Sequence, residues 1–242
     1  VGCIPSKALL HSSEKFAEAR DHLAEHGVKV GKVELDLKTL MARKDKVVDD
    51  LTKGIRFLFK KNKIDWIKGT ACLVGDGRVE VTGVAGRTLE AKDVLVATGS
   101  TPLGLPGIDI DHERIITSDE AIHLPIVPKR LVVIGGGAVG VEFASIYRRF
   151  GSEVTLIELL PRLVPHEDAA VSAELEKSFR KQGIRSLTGR RVTKALATEG
   201  GVDIASGTRS GNAGTLSTGT LLVAAGRGPV TEGLGLDALG VE

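Results

Sequence analysis

The stretch from Lys129 to Phe143 constrains this chain more than any other. Four aliphatic residues, Leu131, Val132, Val133 and Ile134, follow Pro128 and read as a buried strand. Gly135, Gly137 and Gly140 then fit G-x-G-x-x-G, and a helical pattern runs from Ala138 to about Phe150 and stops at Gly151. Gly135 permits a sharp turn, Gly137 a close approach of a pyrophosphate to the backbone, and Gly140 close packing of helix on strand. The helix N-terminus offers free N–H groups and partial positive charge to an anion. A second aliphatic run, residues 154–157, ends on Glu158, about 20 residues beyond the turn, where an acid can accept ribose hydroxyls. The pattern predicts a dinucleotide-binding βαβ unit. The plainer alternative is a βαβ unit whose glycines serve packing alone.

Composition removes several other classes. The net charge of +2 leaves no electrostatic footprint for nucleic acid. No apolar run reaches the roughly 20 residues of a membrane span, and no signal-peptide pattern opens the chain. Two cysteines in 242 residues, Cys3 and Cys72, form no metal-ligand cluster and suit a reducing, cytoplasmic setting.

Ahead of the glycine turn, Pro5 suits the first turn of a helix carried on by Leu9, Leu10, Phe16 and Ala17. Cys3 is then at or just before a helix N-terminus, where the helix end and Lys7 would favour a thiolate; a small buried cysteine is the other reading. A spacer with Gly27 and Gly31 precedes a second helix, expected from Leu37 to about Lys61, with Leu40, Val47, Val48, Leu51, Ile55, Leu58 and Phe59 as its apolar face. Lys60, Lys61 and Lys63 suit a solvated helix C-terminus.

From Ile64 the period shortens. Residues 64–67, 71–74 and 78–82 are strand candidates, with turns at Asp76-Gly77 and Ala85-Gly86. Cys72 reads as core filling. Residues 93–97 form an aliphatic strand candidate running into Thr98, Gly99 and Ser100. Pro102, Pro106, Pro125 and Pro128 mark a connection, with a domain boundary inside 103–128. Asp168 caps a further helix that ends at Gly183. His166, Glu167 and Asp168 are adjacent and do not converge on one ion, so no metal site is expected. Short strands and hairpins fill 186–217. Residues 220–227 then repeat the pattern of 94–99, which suggests two similarly built domains.

The opening run Val1, Gly2, Cys3, Ile4, Pro5, Ser6, Lys7, Ala8 and Leu9 resembles the redox-disulfide segment of the flavin disulfide reductases, the pyridine nucleotide-disulfide oxidoreductases, and specifically of the dihydrolipoamide dehydrogenase family. The resemblance continues through Ala97-Thr98-Gly99, through residues 135–142, and through Glu158 with residues 160–165. It ends with Ala225-Gly226-Arg227 and residues 231–235. Mercuric reductases share several of these motifs.

The resemblance implies an α/β fold: a partial FAD-binding Rossmann-like domain (1–122) that carries the redox-cysteine helix, an NAD-binding Rossmann-like domain (123–230), and the start of a return to the FAD domain (231–242). It implies oxidation of dihydrolipoamide, with electrons passing through a cysteine pair and FAD to NAD. Cys3, Lys7 and Glu142 would be the catalytic group, Cys3 as the flavin-proximal sulfur and Glu142 meeting Lys7 beside the flavin. Lys7, Gly69, Thr98, Gly99 and Ser100 would contact FAD. Gly135, Gly136, Gly137, Ala138, Val139, Gly140, Val141, Glu142, Glu158, Val192 and Gly226 would contact NAD, with Glu158 disfavouring NADP. The implied partners are dihydrolipoamide on a lipoyl-carrier protein of a 2-oxoacid dehydrogenase complex and a second copy of the full-length chain, with no nucleic acid and no membrane.

In the family a first cysteine lies five positions before Cys3, which is ahead of Val1. A glycine-rich FAD motif and a dimer domain with an acid-base histidine also lie outside these residues. An interior piece of a longer enzyme, inactive alone, is therefore the expectation. Another flavin disulfide reductase, such as a mercuric reductase, and a non-catalytic NAD-binding module are the alternatives.

Overall fold

The structure is a computed structural model that describes residues 2–83, 86–208, 211 and 213–241. The helices are α1 (Cys3–Ala17), α2 (Leu37–Lys61), α3 (Ser118–Ala121), α4 (Ala138–Phe150) and α5 (Ala169–Gln182). The first strands are β1 (Thr70–Gly75), β2 (Arg78–Thr82), β3 (Arg87–Glu90), β4 (Ser100–Pro102) and β5 (Ile115–Ile116). They are followed by β6 (Arg130–Ile134), β7 (Glu153–Ile157), β8 (Arg185–Leu187), β9 (Arg190–Thr198), β10 (Gly201–Thr208), β11 (Ala213–Thr218), β12 (Thr220–Val223) and β13 (Arg227–Pro229). The chain forms two compact units, Val1–Asp50 with Pro102–Gly226, and Leu51–Thr101 with Arg227–Glu242.

The first unit is built on a parallel five-stranded sheet in the order β5-β12-β6-β7-β8. Successive side chains of a strand face opposite sides, and both sides of this sheet are covered. Leu131, Val133, Leu156 and Leu222 pack on one side with Phe143, Tyr147 and Phe150 of α4, Phe179 of α5 and Leu9 of α1. Val132, Ile134, Ile157, Leu221 and Val223 pack on the other with Ala195, Val202 and Ile204 from the antiparallel sheet β11-β10-β9. Double coverage is why these strands read as unbroken aliphatic runs. Tyr147 lies at the bottom of the first layer, 1% exposed, with its hydroxyl donating to Ala121 O at 2.6 Å. Burial pushes its phenol well above the ordinary value.

Helix α2 has the expected bounds but not the expected buried face. Its one buried residue is Lys44, whose ammonium donates to Ile122 O at 2.9 Å and lies 2.9 Å from His123 Nδ1. Leu51, Ile55 and Leu58, expected in a core, are each about half exposed. Four methylene carbons let a lysine reach a carbonyl from a position that periodicity reserves for an aliphatic residue.

The second unit holds the antiparallel sheet β1-β2-β3. Asp76 and Gly77 both take positive φ, 50° and 70°, which is the twist a two-residue hairpin turn needs. At the other predicted turn, Ala85 lies outside the described residues. Two strand expectations fail here. Residues 64–67 and 93–97 join no ladder, and Ile64, Trp66 and Leu95 stay exposed at 53%, 50% and 89%. Strand propensity describes fit to a half-buried pleated surface, and neither run has a neighbouring strand among the described residues. Thr98 and Gly99 are held by single bonds instead. Thr98 Oγ1 donates to Val230 O at 2.5 Å, and Val230 N–H donates to Gly99 O at 3.0 Å.

Candidate functional site

The candidate dinucleotide site is the passage from β6 into α4. Gly135 has φ +105°, and a Cβ there would lie 2.2 Å from Ala224 O at the end of β12. At Gly140 a Cβ would come within 1.8 Å of Gly135 O. Both glycines are therefore demanded by the protein's own packing. Gly137 is different. Its φ is −75°, and a Cβ would meet nothing within 4 Å. The turn does not need that glycine, but a ligand approaching the backbone would. The two helices flanking α4 in sequence carry side-chain caps, Thr117 with Glu120 on α3 and Asp168 on α5, whereas Gly137 offers α4 none. Helix α4 thus presents Ala138 and Val139, at the start of its first turn, to an anion. The chemistry of a pyrophosphate fits this end of the helix.

Glu158 ends β7, 7% exposed. Its carboxylate accepts Gly136 N–H at 2.5 Å and Leu160 N–H at 2.7 Å. A carboxylate has about four acceptor positions, so capacity for ribose hydroxyls remains. Gly136, also expected to contact the cofactor, has both of its own polar groups bonded inside the protein. Its carbonyl accepts Val164 N–H at 2.7 Å, and a Cβ on it would come within 2.8 Å of Leu163 Cδ2.

At the start of α4's second turn, Glu142 forms an ion pair with Lys7 of α1, across 135 residues of sequence. Cys3 is the first residue of α1, and it is a free, exposed thiol, which removes the buried-cysteine reading. It lies four residues before Lys7, on the same face of the helix.

Residues 135–142, Glu158, Lys7 and Cys3 all belong to the first unit, as do Val192 and Gly226. Val192 of β9 packs against the second face of the sheet. Gly226 (φ +134°) accepts Leu103 N–H at 3.0 Å just beyond β12. The residues assigned to FAD divide differently, with Gly69, Thr98, Gly99 and Ser100 in the second unit and Lys7 in the first. A Cβ on Gly69 would lie 2.3 Å from Thr82 O, so the adjacent strand by itself accounts for that glycine. Ser100 Oγ accepts from Arg227 Nε at 2.8 Å. Gly99, at φ +84°, faces open space.

Residues 160–165 entered the sequence reading through the resemblance alone, which missed that this segment packs under the turn, with Leu163 fully buried and Val164 at φ +40°. Only the run of apolar residues between Leu159 and Pro165, interrupted by Arg162, could have signalled it. Among the described residues no group of three or more His, Cys, Asp or Glu side chains could hold a metal, and no helix is long and apolar enough to cross a membrane.

A parallel sheet with its glycine turn, an uncapped helix end and a carboxylate on the next strand define the class as a dinucleotide-binding α/β protein. Residues 1–242 match the model of the pyridine nucleotide-disulphide oxidoreductases, and the chain belongs to that family. It is 48% identical to dihydrolipoyl dehydrogenase 3 of Pseudomonas putida, covering 100% of this chain and 53% of that protein. It is 44% identical to a leghemoglobin reductase of Vigna unguiculata, over 100% of this chain and 47% of that one. Among solved structures it is similar to LpdA of Mycobacterium tuberculosis, at 29% identity and TM-score 0.86, covering 99% of this chain and 52% of that one. It is also similar to the HOCl-induced flavoprotein disulfide reductase RclA of Escherichia coli, at 26% identity and TM-score 0.79, covering 100% and 50%. The chain spans about half the length of the relatives it matches.

Proposed function

We propose that this chain is the NAD-facing part of a dihydrolipoyl dehydrogenase, a flavin-dependent disulfide oxidoreductase. The observation that carries the reading is the open Gly137 at an uncapped helix end, with Glu158 beside it. Relatives named dihydrolipoyl dehydrogenase, matched along the whole chain, supply the substrate class. The same reading keeps the FAD-binding residues at Lys7, Gly69, Thr98, Gly99 and Ser100, with 1–122 and 231–242 as parts of the FAD domain and 123–230 as the NAD domain.

In this proposal the N–H groups at the start of α4 bind the NAD pyrophosphate. Glu158 accepts the adenosine ribose hydroxyls, and its charge disfavours a 2′-phosphate. FAD, when bound, supplies a two-electron relay between sulfur and nicotinamide. Cys3 presents its sulfur at the positive end of α1, and the Glu142 carboxylate holds the Lys7 ammonium one helical turn away from it. Overall, dihydrolipoamide loses two electrons and two protons as its sulfurs join. NAD⁺ takes up a hydride, and one proton is released. A lipoyl-carrier protein of a 2-oxoacid dehydrogenase complex is the substrate's carrier, a second full-length copy completes a homodimer, and the cytoplasm is the setting.

The test is fluorescence titration of the purified protein with NADH and with NADPH, followed by dihydrolipoamide-dependent NAD reduction by the full-length polypeptide that contains these residues. The reading requires tighter binding of NADH and lipoamide-dependent turnover. Equal or tighter NADPH binding removes the role of Glu158, and turnover only with another disulfide or a metal ion removes dihydrolipoamide as substrate.

A further inference from the structure

Glycine 136 of the turn is held on both sides by the segment that follows β7. Its N–H is taken by Glu158 and its carbonyl by Val164 N–H, while Leu163 fills the space beneath its missing side chain. Val164 takes up a left-handed backbone at φ +40° to make that contact, a conformation costly for a β-branched residue and kept only where the surroundings over-determine it. Two side chains of α5 fix the segment at this point. Glu176, on the second turn of α5, accepts Leu163 N–H with Oε1 at 3.1 Å. The hydroxyl of Ser172, one turn earlier on the same helix, reaches Val164 O at 3.4 Å. Leu163 is fully buried with Glu176 in place, and truncation of Glu176 removes the acceptor of its N–H.

We propose that Glu176 is a positioning residue for dinucleotide binding. It holds Leu163 and Val164 against Gly136 and so sets the glycine turn whose next residues receive the pyrophosphate. Glu176 acts through Leu163, whose N–H it accepts. The functional part of the proposal rests on the dinucleotide reading, so one measurement is made with nucleotide and one without.

Without nucleotide, amide hydrogen exchange compares the wild-type protein with Glu176→Ala and Glu176→Gln. In E176A, exchange at Leu163, Val164 and Gly136 rises at least about tenfold while the amides of β6 are unchanged. E176Q, whose side-chain oxygen still accepts the Leu163 N–H, stays within about twofold of wild type. With NADH as probe, below the melting temperature of each variant, E176A raises Kd about fivefold, in line with the loss of one hydrogen bond. E176Q restores it. Unchanged exchange at the three amides in E176A overturns the brace. Altered exchange with unchanged NADH affinity overturns its part in binding and leaves a structural contact only. Equal weakening by E176A and E176Q assigns the effect to the charge and overturns positioning through Leu163. A wild-type protein that does not bind NADH overturns the dinucleotide reading and with it the binding role, while the exchange data still decide the brace.

Discussion

Residues 94–99 read Val, Leu, Val, Ala, Thr, Gly, and residues 221–226 read Leu, Leu, Val, Ala, Ala, Gly. The later copy is the centre of the first unit. Leu221 and Leu222 are 0% exposed and Val223 1%, in a strand paired with β5 on one side and β6 on the other. The earlier copy joins no ladder, and Val94, Leu95 and Val96 are 42%, 89% and 41% exposed. Aliphatic sequence specifies a strand only where neighbours accept its hydrogen bonds and cover its faces. The β12 copy has both, through 115–116, 131–134, α4 and the antiparallel sheet.

The comparison breaks most sharply under truncation. Leu222→Ala removes a side chain buried between α4 and the sheet and should cost about 2–5 kcal/mol. Leu95→Ala removes one that touches little and should stay within about 0.5 kcal/mol. Urea unfolding followed by circular dichroism measures both. Equal costs would mean that residues 94–96 are packed in solution, and that the contrast between the copies is false.

The same contrast explains what was legible in the sequence. The glycine turn, β6, β7, both ends of α4 and the caps of α5 could be read because local chemistry decides them: a positive φ at Gly135, Gly151 and Gly183, a carboxylate at Asp168, and aliphatic runs covered on both faces. The pairing of Lys7 with Glu142 came from resemblance, since no local rule joins residues 135 positions apart. The strands at 64–67 and 93–97 were misread because their neighbours, not their residues, decide the outcome. The brace at Leu163 and Val164 was invisible because a left-handed valine contradicts its own propensity. It is held there by Gly136 and by Glu176, which lies more than ten residues downstream.

A smaller effect comes from pH and reports on the first unit alone. The chain has one tyrosine, and it lies in that unit's core. Burial raises the Tyr147 pKa in the folded state above the ordinary value of about 10. The unfolded chain therefore releases this proton first as pH rises. The stability contributed by the buried phenol is complete below about pH 10 and declines above it, by about 1.4 kcal/mol for each further pH unit until the folded group also titrates. The one tryptophan, Trp66, belongs to the second unit and is half exposed. Urea midpoints read at alkaline pH by far-UV circular dichroism should fall more steeply than those read by Trp66 fluorescence, and Tyr147→Phe should flatten the difference. Identical midpoints by both probes at every pH would mean that the two units unfold as one.

The smallest expected effect is at the ion pair that would matter most for chemistry. Lys7 is 64% exposed at its side chain and Glu142 27%, so solvent screens their attraction. Pairs of this kind contribute about 0.2–1 kcal/mol. Lys7→Met keeps most of the aliphatic stem on α1 and removes the charge, and Glu142→Gln removes the other. A double-mutant cycle on urea stability should give a coupling below about 1 kcal/mol, far less than the cost of Leu222→Ala. A pair that adds so little to folding is one whose placement beside Cys3, a single helical turn away, calls for a reason other than stability. The matching readout is the rate at which iodoacetate, an anion, alkylates the Cys3 thiol, compared with neutral iodoacetamide. Removing the ammonium at position 7 takes away a charge that attracts the anionic reagent, so K7M should lower the iodoacetate rate relative to the iodoacetamide rate at nearly unchanged stability. A coupling of several kcal/mol with an unmoved ratio of the two rates would make the pair a clasp between α1 and α4 and nothing more.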